Sequence, residues 1–126
     1  MRGVTLDTGA LIGLDRGDTR VTALLQRIAT EPDAVVSIPA GVVGQAWRGG
    51  QRQTRLASLL SAPETSVVPL DHQTARAVGV LLGRAGARDV VDASVVICAR
   101  ERRQAVITSD PADLKYLDPH LPVRAV

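Results

Sequence analysis

The sequence predicts an α/β protein with a mainly parallel sheet sandwiched between helices, and three observations carry that expectation. Short apolar runs, Val4-Thr5-Leu6, Ala34 to Ile38, Ser66 to Pro69 and Ala105 to Thr108, alternate with longer stretches of helical period. Each run is followed within a few residues by a helix-opening residue: Asp7, Pro39, Asp71 and Asp110-Pro111. The chain is 45% hydrophobic yet contains no Phe. Its core must therefore be built from Ala, Val, Leu and Ile, which suits helices packed on a sheet. At 126 residues the chain is long enough for a core of its own and is expected to form a single domain, residues 1–126.

The elements follow in order. Val4-Thr5-Leu6 reads as a strand, and Asp7-Thr8-Gly9-Ala10-Leu11-Ile12 turns it into a helix ending near Gly17. Val21, Leu24, Leu25 and Ile28 then mark a helix from Asp18 to Thr30, closed by Pro32-Asp33. Ala34 to Ile38 is the second strand. A helix from Pro39 through Val42, Val43, Ala46 and Trp47 is expected to stop at Gly49-Gly50, and another to run from Gln51 to Ser61. Ser66 to Pro69 is the third strand, and Asp71 caps a helix closed by Gly86. The segment from Arg88 to Leu114 then gives a helix opening with Asp89 and Asp92, the strand Ala105 to Thr108, and a turn at Ser109-Asp110-Pro111. A short helix with Leu114, Tyr116 and Leu117 follows, and Pro122 to Val126 forms a last edge strand.

Composition excludes several classes. The one cysteine, Cys98, lies in mid-helix and reads as inert packing, with no disulfide possible within the chain. No segment approaches membrane-spanning length and the start carries no apolar leader, so the expected location is cytoplasmic, without membrane contact. His72 and His120 lie far apart in ordinary loop or cap positions, and neither recommends itself as a base or ligand.

The aspartates stand out. Asp89 and Asp92 are three apart, hence on one helix face, and Asp7 and Asp110 each follow a strand. Right-handed crossovers would bring Asp7 and Asp110 to the same carboxyl edge of a parallel sheet. Each acid alone has a simpler reading as a helix cap. Asp92, however, is set among Val90, Val91, Ala93, Val95 and Val96, and a carboxylate on a buried helix needs a partner or a metal. Two carboxylates about 4 Å apart repel by roughly 4 kcal/mol at an effective dielectric near 20. Converging acids therefore call for a divalent cation, and an all-oxygen set suits Mg²⁺ or Mn²⁺ better than zinc.

Net charge is +2, with 15 basic and 13 acidic residues. Setting aside Asp7, Asp89, Asp92 and Asp110 leaves nine acids and a balance of +6, an acidic pit in a basic surface. Such a pit, holding a hard dication, suits phosphodiester cleavage by a metal-activated water, without a Ser–His nucleophile. Every basic residue except Lys115 is arginine, which fits phosphate contacts as well as it fits a GC-rich genome. Arg48, Arg52 and Arg55, with no acid between them and Trp47 alongside, read either as a solvated face or as a substrate-binding, phosphate-tracking patch.

The stretches LDTGALIGL, DVVDASVVICA and VITSDPADL together resemble the PIN-domain proteins, specifically the VapC-type toxins of type II toxin–antitoxin pairs, over essentially the whole chain. The resemblance implies a three-layer α/β/α PIN-like domain and a Mg²⁺- or Mn²⁺-dependent endoribonuclease acting on RNA. It also implies a cognate antitoxin and commonly a homodimer. By position, Asp7, Asp92 and Asp110 match catalytic, metal-binding acids and Asp89 an accessory metal acid. Thr8 and Ser109 match supporting hydroxyls. The family's usual glutamate after the second strand is replaced here by Gln45, which can hold a water or orient an acid but brings no charge. A rival reading keeps the fold and loses the cleavage, leaving a module that binds RNA or an antitoxin. A second rival, phosphoryl transfer through Asp7, lacks the acid two residues on, where Gly9 stands.

Overall fold

A computed structural model describes residues 3–126 and has helices on both sides of a five-stranded sheet. Strand β1 (Gly3–Leu6) leads into α1 (Thr8–Asp15) and α2 (Thr19–Ala29), and β2 (Val35–Pro39) into α3 (Ala40–Ala46) and α4 (Thr54–Ser61). Strand β3 (Thr65–Val68) is followed by α5 (His72–Ala85) and α6 (Val90–Arg102), then β4 (Ala105–Thr108), α7 (Pro111–Leu117) and β5 (Val123–Ala125). All neighbouring strands are parallel, in the order β3-β2-β1-β4-β5.

That order has one consequence for function. The chain winds outward from β1 through β2 to β3, then crosses back to place β4 on the other side of β1. The gap beyond the carboxyl ends of β1 and β4 is thus the topological switch point, where open parallel sheets leave a crevice. Leu6 pairs with Ile107, so the next residues, Asp7 and Thr108, stand side by side at that crevice.

The aliphatic core forms as composition requires. Leu6, Leu11, Ile38, Val95, Val96, Val106 and Ile107 are among its most completely buried side chains. In α6 every residue from Ala93 to Ala99 is buried, which makes it the central helix on its face of the sheet. Cys98 is a buried free thiol with the Thr5 hydroxyl 3.8 Å from its sulfur, in keeping with a packing role. Among the described residues no helix is long and apolar enough to cross a membrane.

The expected helix from Gln51 is corrected: α4 begins only at Thr54. The cause is Gln53, a buried side chain that fixes the preceding turn. Its amide oxygen accepts from the backbone of Arg48 (2.8 Å) and Gly50 (3.3 Å), and its nitrogen donates to the Ala46 carbonyl (2.9 Å) and to Asp15 (3.2 Å). Likewise α3 ends at Ala46, short of the glycine pair, because Trp47 turns extended.

Candidate active site

Five carboxylates gather at the switch point, from three stretches of sequence. Asp7 follows β1, Asp89 and Asp92 open α6, and Asp110 and Asp113 flank the start of α7. Their mutual influence is plain at Asp92. Burial pushes its carboxyl up to about 6, and the negative charges of Asp89, Asp113, Asp7 and Asp110 add to the rise. Asp7, only 7% exposed, is also raised, first by burial and then by Asp110.

Local structure explains how each acid is held. Asp7 caps α1 through Oδ1, which accepts from the Ala10 backbone N–H at 2.9 Å, and Asp89 caps α6 through Oδ1 to the Asp92 N–H at 2.9 Å. The capping readings of these two are therefore correct, yet each bond occupies only one carboxylate oxygen. Asp110 sits at the N-cap position with Pro111 behind it, but its side chain makes no capping bond. Asp110 instead raises the exposed Asp113 carboxyl, first by accepting a hydrogen bond from its protonated form and then by Coulombic repulsion of its charged one.

The sequence reading did not reach Asp113, although its spacing from Asp110 repeats the i, i+3 pattern that singled out Asp89 and Asp92. It also passed over Thr108. This buried hydroxyl accepts from the Asp110 backbone N–H at 2.8 Å and hydrogen-bonds the Asp7 carboxyl, so it links the ends of β1 and β4. The two hydroxyls matched by resemblance both stand beside Asp7, Thr8 as its neighbour in sequence and Ser109 in space, against Gly9. The Thr8 hydroxyl donates to the Gln45 side-chain oxygen, tying α1 to α3 beside Asp7. Ser109 is exposed and packs against Gly9, where a β-carbon would stand only 2.1 Å from its hydroxyl oxygen.

The arginine patch is not drawn into the acid cluster. Arg48 turns its guanidinium onto the carbonyls of Trp47 (2.7 Å) and Gly44 (3.3 Å), and Arg55 lies against Gly17. Arg52 is exposed. Trp47 is half-buried and folds over Gly50, so its ring is not an open platform.

The donor set fits a hard dication in its chemistry. It is all oxygen, Asp7 and Asp92 are held against their natural ionisation, and the charges that act most on Asp92 are all negative. Among the described residues no three such groups are spaced to hold one ion as the side chains stand. Asp110 and Asp113 are exposed and make no capping bond, so they can turn toward an ion about side-chain bonds, whereas Asp89 keeps one oxygen on its cap and has the other to offer.

Comparison with known proteins agrees with this fold. No curated protein matches the chain in sequence. Among solved structures, VapBC2 from Rickettsia felis, bound to a DNA fragment from their promoter, is 16% identical, with 98% of each chain covered and a TM-score of 0.71. Mycobacterium tuberculosis VapC20, a sarcin-ricin loop cleaving toxin, is 18% identical at a TM-score of 0.61, covering 82% of this chain and 86% of that one. VapBC-5 of the same organism, a member of the VapBC family of toxin-antitoxin systems, is 26% identical at a TM-score of 0.56 over 100% of this chain and 98% of the other. The PIN domain family matches residues 4–118, and the chain belongs to that family, with the fold seen in VapC-type toxins.

Proposed function

We propose that the chain is a Mg²⁺- or Mn²⁺-dependent endoribonuclease, the toxin of a type II toxin–antitoxin pair. The observation that supports this most is Asp92, whose carboxyl is held near 6 by burial and by four acids converging from three segments. A cluster of that kind destabilises the fold and is most simply retained for a cation. Asp7, Asp92 and Asp110 would hold the ion, with Asp89 contributing charge. When bound, a hard dication lowers the pKa of a coordinated water and shields the charge that grows on a phosphodiester. The chain's own part is positional. Thr108 fixes Asp7 and the backbone of Asp110 relative to each other, and the caps on α1 and α6 hold Asp7 and Asp89 at the crevice.

Gln45 stands where the family commonly has glutamate, and its oxygen already accepts from Thr8. In this reading it orients Thr8 beside Asp7 and supplies no charge. Arg48, Arg52 and Arg55 would steer RNA from a distance rather than touch the reacting phosphate. A cognate antitoxin and a second copy of the chain are the proposed protein partners, by analogy with the toxin–antitoxin structures that share the fold. Incubation of total RNA with the parent and with Asp7→Asn or Asp92→Asn tests the enzyme. Mn²⁺-dependent cutting lost in both variants is the expected result. RNA or antitoxin binding without cutting would favour the inactive module instead.

A further inference from the structure

Beside the acids lies a groove of about 260 Å³ lined by Arg88, Asp89, Asp92, Asp113 and Tyr116. Tyr116 is the most exposed of the large hydrophobic side chains among the described residues, at 66%. An aromatic ring left in water is unusual in a chain with only two aromatics, the other being the half-buried Trp47. Nor is the ring loose. Its hydroxyl donates to the Ala85 carbonyl at 3.0 Å, at the end of α5, which anchors the far end of the side chain. The result is a fixed flat face bordering the groove that carries three of the five acids, with the exposed Arg88 at the same groove.

We infer that Tyr116 is a stacking platform for one unpaired base of the RNA, with Arg88 contacting a neighbouring phosphate. This rests on the ribonuclease reading and narrows it, because a base can reach such a face only from a single-stranded or splayed segment. Stacking on an aromatic ring accepts any base, so the platform selects for unpaired structure rather than for sequence. Of the acids proposed to serve the cation, Asp92 and Asp89 lie on the same groove, and a base seated on Tyr116 would place the adjoining phosphodiester toward Asp92. Tyr116 is thus a positioning residue, and its ring, not its hydroxyl, does the recognition.

The test is fluorescence anisotropy of the full chain with a labelled single-stranded RNA of about 12 nucleotides, Ca²⁺ replacing Mn²⁺. A blunt duplex and a series with one abasic position each complete the set. Tyr116→Phe, which keeps the ring and loses only its anchor on the Ala85 carbonyl, should retain most of the parent's affinity. Tyr116→Ala should bind the single strand roughly 5- to 150-fold more weakly, the range of one stacked base, and leave duplex binding unchanged. One abasic position should cost the parent a similar factor and cost Tyr116→Ala nothing further. Arg88→Gln should weaken binding at every abasic position alike. Equal affinity in the parent and Tyr116→Ala overturns the proposal, as does a loss that is the same for duplex or that adds fully to every abasic change. A Tyr116→Ala defect confined to antitoxin binding also overturns it. Failure of the enzyme reading looks different: no form, Tyr116 intact or not, cuts RNA with Mn²⁺.

Discussion

Gly9 and Ser109 approach so closely that a β-carbon on the glycine would lie 2.1 Å from the serine hydroxyl oxygen and 3.6 Å from Asp7 Oδ1. The first turn of α1 is thus seated directly against the loop after β4. Gly9→Ala should cost no more than about 1 kcal/mol. The Ser109 hydroxyl is the free end of an exposed side chain and can swing to another rotamer, leaving its β-carbon 3.3 Å from the new methyl, while alanine's better helix propensity offsets part of the crowding. Ser109→Ala, which removes the clashing oxygen, should recover much of the loss. A double-mutant cycle by urea denaturation measures the coupling, and additive effects would show that the contact is unimportant.

The raised Asp92 carboxyl predicts an inverted pH dependence. Its folded pKa, about 6, lies above the 3.8 of a free aspartate, so the folded state holds the extra proton between those values. Its contribution to stability is full below pH 3.8 and is lost as pH rises through about 6. Fully sheltered, such a shift would amount to about 3 kcal/mol. Asp92 is only half-buried, and solvent screening reduces the expected loss to about 1 kcal/mol. Asp92→Asn should therefore flatten the fall in stability between pH 4 and 7 in the absence of divalent ions. Chemical denaturation across that range, parent against variant, is the measurement.

A dication that neutralises the cluster should reverse the sign of this effect. Mn²⁺ at about 100 times its dissociation constant should stabilise the parent by roughly 2.7 kcal/mol, seen as a higher melting temperature. Asp7→Asn and Asp92→Asn should lose most of that gain. Gln45→Glu, which adds a charge within reach of the Thr8 hydroxyl, should tighten Mn²⁺ binding in titration calorimetry. Melting curves that ignore Mn²⁺ and Mg²⁺ would leave Asp7 and Asp89 as helix caps and nothing more.

Gln53 should matter more to stability than the arginines around it. Truncation to alanine strands the Arg48 and Gly50 N–H groups and the Ala46 carbonyl inside the α3–α4 turn. The expected cost is about 1–3 kcal/mol. Arg52→Ala, at an exposed position, should stay within about 0.5 kcal/mol of the parent. Thermal denaturation of the two variants side by side decides the order.

Much of the molecule was legible without coordinates, because the signals that specify it are local. The alternation of β-branched runs with helical periods marked all five strands, and caps at Asp7, Asp18, Asp71 and Asp89 marked four helix starts. The chirality of crossovers was enough to place Asp7 and Asp110 at one edge. What could not be read was which side chains a shared crevice would recruit. Asp113 and Tyr116 lie on a short helix whose pattern announces only that it packs by Leu114 and Leu117. Thr108 looked like an interior strand residue, and its role appears only once Leu6 pairs with Ile107 about a hundred positions away.

The sequence by itself determined the alphabet of elements and the supply of carboxylates, since periodicity, capping and composition act over a few residues. Tertiary structure decided the company each acid keeps. By inserting β1 between β2 and β4 it brought four acids to act on Asp92, while packing turned Arg48 onto neighbouring carbonyls and left one tyrosine ring exposed at the groove beside Asp92. Proximity between distant residues is fixed by strand order and crossover, and no local pattern encodes it.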